Sequence, residues 1–129
     1  MGTRNRKART AIFFCRQIDE NQDTNRRAVE KEYASDVQFF PLPCSGRIEP
    51  LHLLRALESG ADTVYLVTCP EGACRYTEGN ERAGKRLKYV QGLLTEIGLD
   101  PERLELVRLG AAPRKGIDVI ARELLDRRP

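Results

Sequence analysis

Apolar residues in this chain fall into four short strand-like runs that alternate with four helix-like runs. Such alternation is typical of a parallel sheet with helices packed on both of its faces. The predicted strands cover residues 10–14, 37–42, 63–68 and 104–109. The first and third runs are almost continuously apolar, which indicates central strands that are buried on both faces.

Helical periodicity is clearest over residues 81–97, where apolar residues recur at steps of three and four along one face. The residues of this predicted apolar face are Ala83, Leu87, Val90, Leu94 and Ile97. Gly98 follows directly and is a typical residue just beyond the end of a helix. The pattern therefore predicts a long helix that packs one face on the sheet.

The other three helices are shorter. One is predicted to begin at Pro50 and end before Gly60, and another to cover residues 114–126. Residues 22–34 are predicted to be helical mainly because two parallel strands need a crossover connection. The apolar face of this segment consists of Ala28, Val29 and Tyr33.

Together these elements predict a single three-layer α/β domain, flavodoxin-like or Rossmann-like, with a four-stranded parallel sheet flanked by helices. The strand order 2-1-3-4 is expected because it places the two most apolar strands in the centre. A length of 129 residues is a common size for one domain. We assign residues 10–129 to this domain and residues 1–9 to a basic N-terminal arm, for which disorder is the simplest interpretation.

Composition narrows the function classes. The formal charge of +3 results from 22 basic and 19 acidic residues, and the chain has no Trp, so neither a nucleic-acid-binding face nor a stacking surface is indicated. The apolar run at residues 11–15 is too short for a signal peptide or a membrane span, and we expect a cytoplasmic protein. Disulfides are rare in reducing compartments, so the four cysteines favour metal binding or thiol chemistry.

The cysteines follow the carboxyl ends of three predicted strands. Cys15 directly follows the first strand, Cys44 lies two residues past the second, and Cys69 directly follows the third, with Cys74 in the next loop. This edge of an open parallel sheet is where ligands bind, and neighbouring strands lie only about 4.8 Å apart. The four thiols are therefore predicted to form one metal-binding or cofactor-binding site.

Four thiolates suit either a tetrahedral zinc ion or an iron-sulfur cluster. Structural zinc sites usually use pairs of ligands separated by two to four residues. Here only Cys69 and Cys74 are close in sequence, whereas Cys15 and Cys44 stand alone. The spacing modestly favours a cluster and leaves a structural zinc domain as an alternative.

A thiol enzyme is a second alternative, because Cys69 is followed by five residues and then Arg75. Phosphatases, arsenate reductases and rhodanese-like proteins use such a loop to hold an oxyanion beside a reactive thiolate. Against this interpretation, Tyr76 occupies the position where such phosphatases need Ser or Thr. Cys15 and Cys44 would also have no role, so we rank the cluster first.

Several short motifs follow one another along the chain: Cys44-Ser45-Gly46-Arg47, Pro50, Leu54-Arg55-Ala56, Gly60-Ala61-Asp62, then Cys69, Gly72, Cys74, Tyr76, Glu78-Gly79-Asn80, and Leu99-Asp100-Pro101-Glu102-Arg103-Leu104. Taken in this order, they resemble one family: the delta subunit of methyl-viologen-reducing hydrogenase and related hydrogenase iron-sulfur subunits. The resemblance covers nearly the whole chain from Thr10 onward. Each motif is weak alone, but the ordered set is specific.

The resemblance implies one 2Fe-2S cluster that passes electrons between an iron-sulfur oxidoreductase module and the flavin subunit of a heterodisulfide-reductase-like complex. It implies an oxidoreductase component that is not catalytic alone. The family cysteine positions carried over to this chain, and hence the implied metal ligands, are Cys15, Cys44, Cys69 and Cys74. Ile18 and Arg75 stand where the family usually has a further cysteine and a histidine, which indicates a divergent branch.

Overall fold

The computed structural model describes residues 9–15, 18–42, 48–68, 79–108 and 116–126. Its strands are β1 (Thr10–Cys15), β2 (Val37–Leu42), β3 (Thr63–Thr68) and β4 (Leu104–Arg108). Its helices are α1 (Gln22–Tyr33), α2 (Pro50–Glu58), α3 (Gly79–Glu96) and α4 (Ile117–Asp126), with single 3-10 turns at Ala34–Asp36 and Pro101–Arg103. None of the helices within these ranges is long and apolar enough to cross a membrane.

The four strands form one parallel sheet in the order β2-β1-β3-β4, which confirms the predicted fold class and strand order. Both central strands are almost entirely buried, as their continuous apolar sequences predicted. In β1, Thr10 lies level with Val37 of β2 and with Thr63 of β3. The strands therefore start together and also reach the carboxyl edge of the sheet together.

Alternation along β1 divides the core into two apolar layers. Ile12 and Phe14 belong to the layer that contains residues of α1 and α4, whereas Ala11 and Phe13 belong to the layer that contains residues of α2 and α3. One phenylalanine pair lies in each layer, since the ring of Phe14 meets Phe39 edge-on and that of Phe13 stacks on Phe40. Helices thus cover both faces of the sheet.

Helix α1 is present where the crossover rule predicted it, but its contact face is narrower than expected. Val29 is fully buried and Tyr33 is partly buried, whereas Ala28 is exposed. Arg26 stabilises the outer surface of the helix, because its guanidinium donates to Asp23 Oδ1 at 2.7 Å. The helix therefore contributes little more than Val29 to the core.

Two helix ends differ from the predictions. Helix α3 ends at Glu96, and Gly98 adopts a φ of +85° that closes the helix, so Ile97 lies past the last helical residue and is 67% exposed rather than buried. Helix α4 begins at Ile117, and Gly116 immediately before it is not helical. Residues 114 and 115, where this helix was predicted to begin, lie outside the described residues.

Candidate functional site

The carboxyl edge of the sheet brings the ends of three strands to one level. Cys15, the last residue of β1, lies opposite Leu42, the last residue of β2. On the other side Phe14 lies opposite Val67, so Thr68, the last residue of β3, is level with Cys15. Since adjacent strands lie about 4.8 Å apart, these ends form a short, continuous edge.

Cys15 is the only predicted site cysteine among the residues that the structure describes. It closes β1 instead of following it, is 1% exposed, and belongs to the apolar cluster that includes Ile18 and Ile117. The other predicted residues of the site and of the oxyanion loop, Cys44, Cys69, Cys74, Arg75 and Tyr76, lie outside the described residues. Within the described ranges, no three His, Cys, Asp or Glu side chains are grouped to hold a metal ion.

Asp19, four residues after Cys15, joins three segments of the chain. Its Oδ1 accepts a hydrogen bond from the backbone N–H of Asn21, and its Oδ2 accepts from Asn25 Nδ2 and from the backbone N–H of Ile117, each at 2.8 Å. One carboxylate thus joins the end of the β1–α1 connection to the first turn of α1 and to the first residue of α4. We call Asp19, Asn21, Asn25 and Ile117 the Asp19 clamp.

The electrostatics of the clamp favour an ionised carboxylate. Burial raises the pKa of Asp19, but the hydrogen bonds from Asn25, Ile117 and Asn21 more than offset this effect and lower the pKa below its ordinary value of 3.8. Gly116 leaves room for the arrangement, since a Cβ there would lie 3.0 Å from Asn25 Nδ2 and 3.2 Å from Asp19 Oδ2. The clamp is therefore closely packed as well as hydrogen-bonded.

Sequence reasoning missed the clamp. The turn from Asp19 to Asn21 has a recognisable signal, because Asp side chains commonly bond the backbone two residues on. The bond to Ile117 spans 98 positions and leaves no trace in local sequence.

A different set of contacts anchors the start of α2 and begins at Ile48, four residues beyond Cys44 in the sequence. Ile48 is fully buried, and its carbonyl oxygen accepts a hydrogen bond of 2.6 Å from Arg86 Nη1. The Glu49 N–H donates to His52 Nδ1 at 3.1 Å, which satisfies a backbone donor at the helix start. His52 is exposed and serves this helix end.

Two buried hydroxyl groups have no hydrogen-bond partner in the described part of the chain. They are Thr10 Oγ1 at the start of β1 and Thr68 Oγ1 at the end of β3, in residues that are 2% and 1% exposed. Unpaired buried hydroxyls are unfavourable and uncommon. The Thr68 hydroxyl belongs to the carboxyl edge, beside Cys15 and directly before Cys69 in the sequence.

Comparisons with known proteins identify the family of this chain. The sequence profile of the family described as "Methyl-viologen-reducing hydrogenase, delta subunit" matches residues 11–127. The iron-sulfur subunit of an F420-non-reducing hydrogenase from Archaeoglobus profundus is 46% identical over 74 residues, which cover 57% of this chain and only about half, 54%, of that subunit. The corresponding iron-sulfur subunit of the vhu hydrogenase from Methanocaldococcus jannaschii is 35% identical over 100 residues, or 78% of this chain and 75% of that subunit.

Another relative is a longer protein that is named as a heterodisulfide reductase subunit. The chain is 39% identical over 80 residues to one subunit of the ferredoxin:CoB-CoM heterodisulfide reductase of Methanosarcina mazei. These residues make up 62% of this chain and 10% of that protein. A segment similar to this chain is thus part of a much longer polypeptide.

Proposed function

Because the chain belongs to the family of methyl-viologen-reducing hydrogenase delta subunits, we propose that it is an electron-transfer subunit that carries one 2Fe-2S cluster. The proposed ligands are Cys15, Cys44, Cys69 and Cys74. The subunit would act as a component of an oxidoreductase complex and would not turn over a substrate alone. We place it in the cytoplasm.

The alignment of strand ends is the observation that carries this proposal. Cys15 lies between Leu42 and Thr68 at one edge of the sheet. Cys44 is two residues beyond Leu42 and Cys69 is one residue beyond Thr68, and a chain extends at most about 3.6 Å per residue. Three thiols are therefore tied by short connections to neighbouring strand ends.

The chemistry of this edge suits an iron-sulfur cluster. Iron-sulfur clusters are held by cysteine thiolates, and Cys15 reaches the edge from an apolar layer that excludes water. The unpaired Thr68 hydroxyl is a potential donor to a sulfur atom. When bound, the cluster would supply a redox centre whose potential depends on net charge, hydrogen bonds to sulfur and solvent exposure. The Asp19 clamp would hold the segment that follows Cys15.

The relative from M. mazei supports a partner for this chain. Its name is that of a heterodisulfide reductase component, and the segment similar to this chain occupies 10% of it. In the M. mazei protein, the segment similar to this chain and the rest of the subunit form one polypeptide. This linkage is consistent with contact between this chain and a separate heterodisulfide reductase subunit. We propose that this chain binds the flavin subunit of a heterodisulfide-reductase-like complex and passes electrons between that subunit and an iron-sulfur oxidoreductase module.

Metal analysis of anaerobically purified protein tests the proposal. We expect about two irons and two acid-labile sulfides per chain, as one 2Fe-2S cluster requires, and no zinc. Alanine at Cys44, Cys69 or Cys74 should abolish or strongly destabilise the cluster, as judged by visible and electron paramagnetic resonance spectra. Cys15→Ala decides the role of the one buried thiol in the described ranges, because a retained cluster would remove Cys15 from the ligand set. Stoichiometric zinc without iron would contradict the electron-transfer function.

A further inference from the structure

Thr68 has a buried side chain whose only polar atom has no partner in the described part of the protein. The residue is 1% exposed and ends β3. Strand residues that bury a hydroxyl normally pair it, because the group loses its hydrogen bonds to water. The position therefore raises the question of what accepts a hydrogen bond from Thr68 Oγ1.

The place of Thr68 in the fold narrows the answer. It is level with Cys15 on the neighbouring strand and immediately precedes Cys69 in the sequence. Alternation along β3 puts it on the same face as Leu66, in the layer that also contains Ile48, two residues before α2. Two proposed cysteine ligands are thus adjacent to Thr68 in register or in sequence. Because Cys15 belongs to the apolar layer on the other face, a group that contacts both side chains must lie at the carboxyl edge of the sheet, where the two layers meet.

We propose that Thr68 Oγ1 donates a hydrogen bond to a sulfur atom of the cluster and thereby raises its reduction potential. The inference rests on the proposed function, since it requires a cluster at this edge. A hydroxyl dipole with its positive end toward sulfur stabilises the reduced cluster, which carries one more negative charge, more than the oxidised cluster. Hydrogen bonds to the sulfur atoms are one of the factors that set such potentials.

The chain contains a matched control. Thr10 is buried to 2% and also has an unpaired hydroxyl within the described part of the chain, but it lies at the opposite end of the sheet. Thr10 is five positions before Cys15 along β1, a distance of about 16 Å at roughly 3.3 Å per residue. A valine at Thr10 removes the same chemical group from the same sheet without approaching the proposed cluster.

The experiment compares Thr68→Val, Thr68→Ser and Thr10→Val as purified, cluster-containing proteins in anaerobic redox titrations. Thr68→Val should lower the potential so that the ratio of oxidised to reduced protein at a fixed potential rises about tenfold, which corresponds to about 59 mV for a one-electron couple. Thr68→Ser retains the donor and Thr10→Val is remote, so both should keep the wild-type potential. An unshifted potential in Thr68→Val with full iron content would overturn the inference.

The iron content and the stability of the variants test the inference in two further ways. Loss of iron in Thr68→Val but not in Thr68→Ser would support the hydroxyl donor, whereas equal loss in both would overturn it.

In cluster-free protein, Thr68→Val and Thr10→Val should each raise the urea midpoint, because each removes an unpaired buried hydroxyl. A lower midpoint for Thr68→Val would reveal a partner within the protein and refute the inference. If the wild-type protein binds no iron, the proposed function itself is wrong. Failure of the inference alone gives a different result, because the redox titrations compare variants that contain the cluster.

Discussion

Replacing Asp19 by alanine removes the carboxylate that joins three segments of the fold. The variant loses hydrogen bonds of 2.8 Å from Asn21, Asn25 and Ile117. A hydrogen bond to a charged group contributes about 1.5–3 kcal/mol when buried, and a neutral one about 1 kcal/mol. Because Asp19 is only half-buried, we take about 1 kcal/mol for each of the three bonds and expect a loss of about 3 kcal/mol in the free energy of unfolding.

The measurement is urea unfolding of cluster-free protein, followed by far-ultraviolet circular dichroism. Asp23→Ala is the matched control, because Asp23 is an exposed acidic residue in the first turn of α1 that pairs with Arg26 and Arg27. Exposed ion pairs contribute at most about 1 kcal/mol. The reasoning is refuted if Asp19→Ala destabilises the protein no more than Asp23→Ala does.

Acid titration checks the same clamp independently. The pKa of Asp19 is lowered in the folded protein, so its ionisation stabilises the fold above the unfolded pKa of about 3.8 and this contribution disappears as the pH falls through the lower, folded pKa. Asp19→Asn removes the titrating group. The difference in unfolding free energy between wild type and this variant should be constant near neutral pH and shrink below about pH 4. A difference that grows on acidification would contradict the assigned direction.

Three other predictions concern packing, chemistry and partners. Gly116→Ala should destabilise the fold by about 1–2 kcal/mol in urea unfolding, because the new Cβ would lie 2.5 Å from Asp118 Oδ1 and close to the Asp19 clamp; an unchanged midpoint would show that these side chains move aside freely. Steady-state assays should find negligible turnover of aryl phosphates, arsenate and thiosulfate, whereas activity that is lost in Cys69→Ser and kept in Cys15→Ser would favour the thiol enzyme. Pull-down from native extract should recover a flavoprotein or another iron-sulfur protein, and recovery of a lone monomer with a stable cluster would oppose the subunit role.

Local sequence was sufficient for the sheet because its two central strands are nearly continuous apolar runs. The order of strands followed from burying these runs, and the structure agrees. Periodicity was less reliable at helix ends, where Ile97 continues the apolar pattern but follows the last residue of α3. Of the proposed site, the sequence placed Cys15 at the carboxyl edge, although it could not indicate how deeply the thiol is buried. The link from Asp19 to Ile117 depends on tertiary packing and was not predictable.

Ile18 and Asp19, three and four residues after Cys15, are anchored to the rest of the fold. Ile18, which stands where the resembled family usually has a cysteine, is 9% exposed and shares an apolar cluster with Cys15 and Ile117. Asp19 follows directly and bonds the N–H of Ile117. Apolar packing and a hydrogen bond therefore fix the same short segment to the start of α4. Under the proposed function, residues that fix a ligand segment keep the ligand geometry constant, as surrounding groups do in other metal sites. The chain has only four cysteines, so a cluster that binds all four has no spare cysteine ligand. A rigid support at Cys15 would therefore hold this ligand in place without a second thiol nearby.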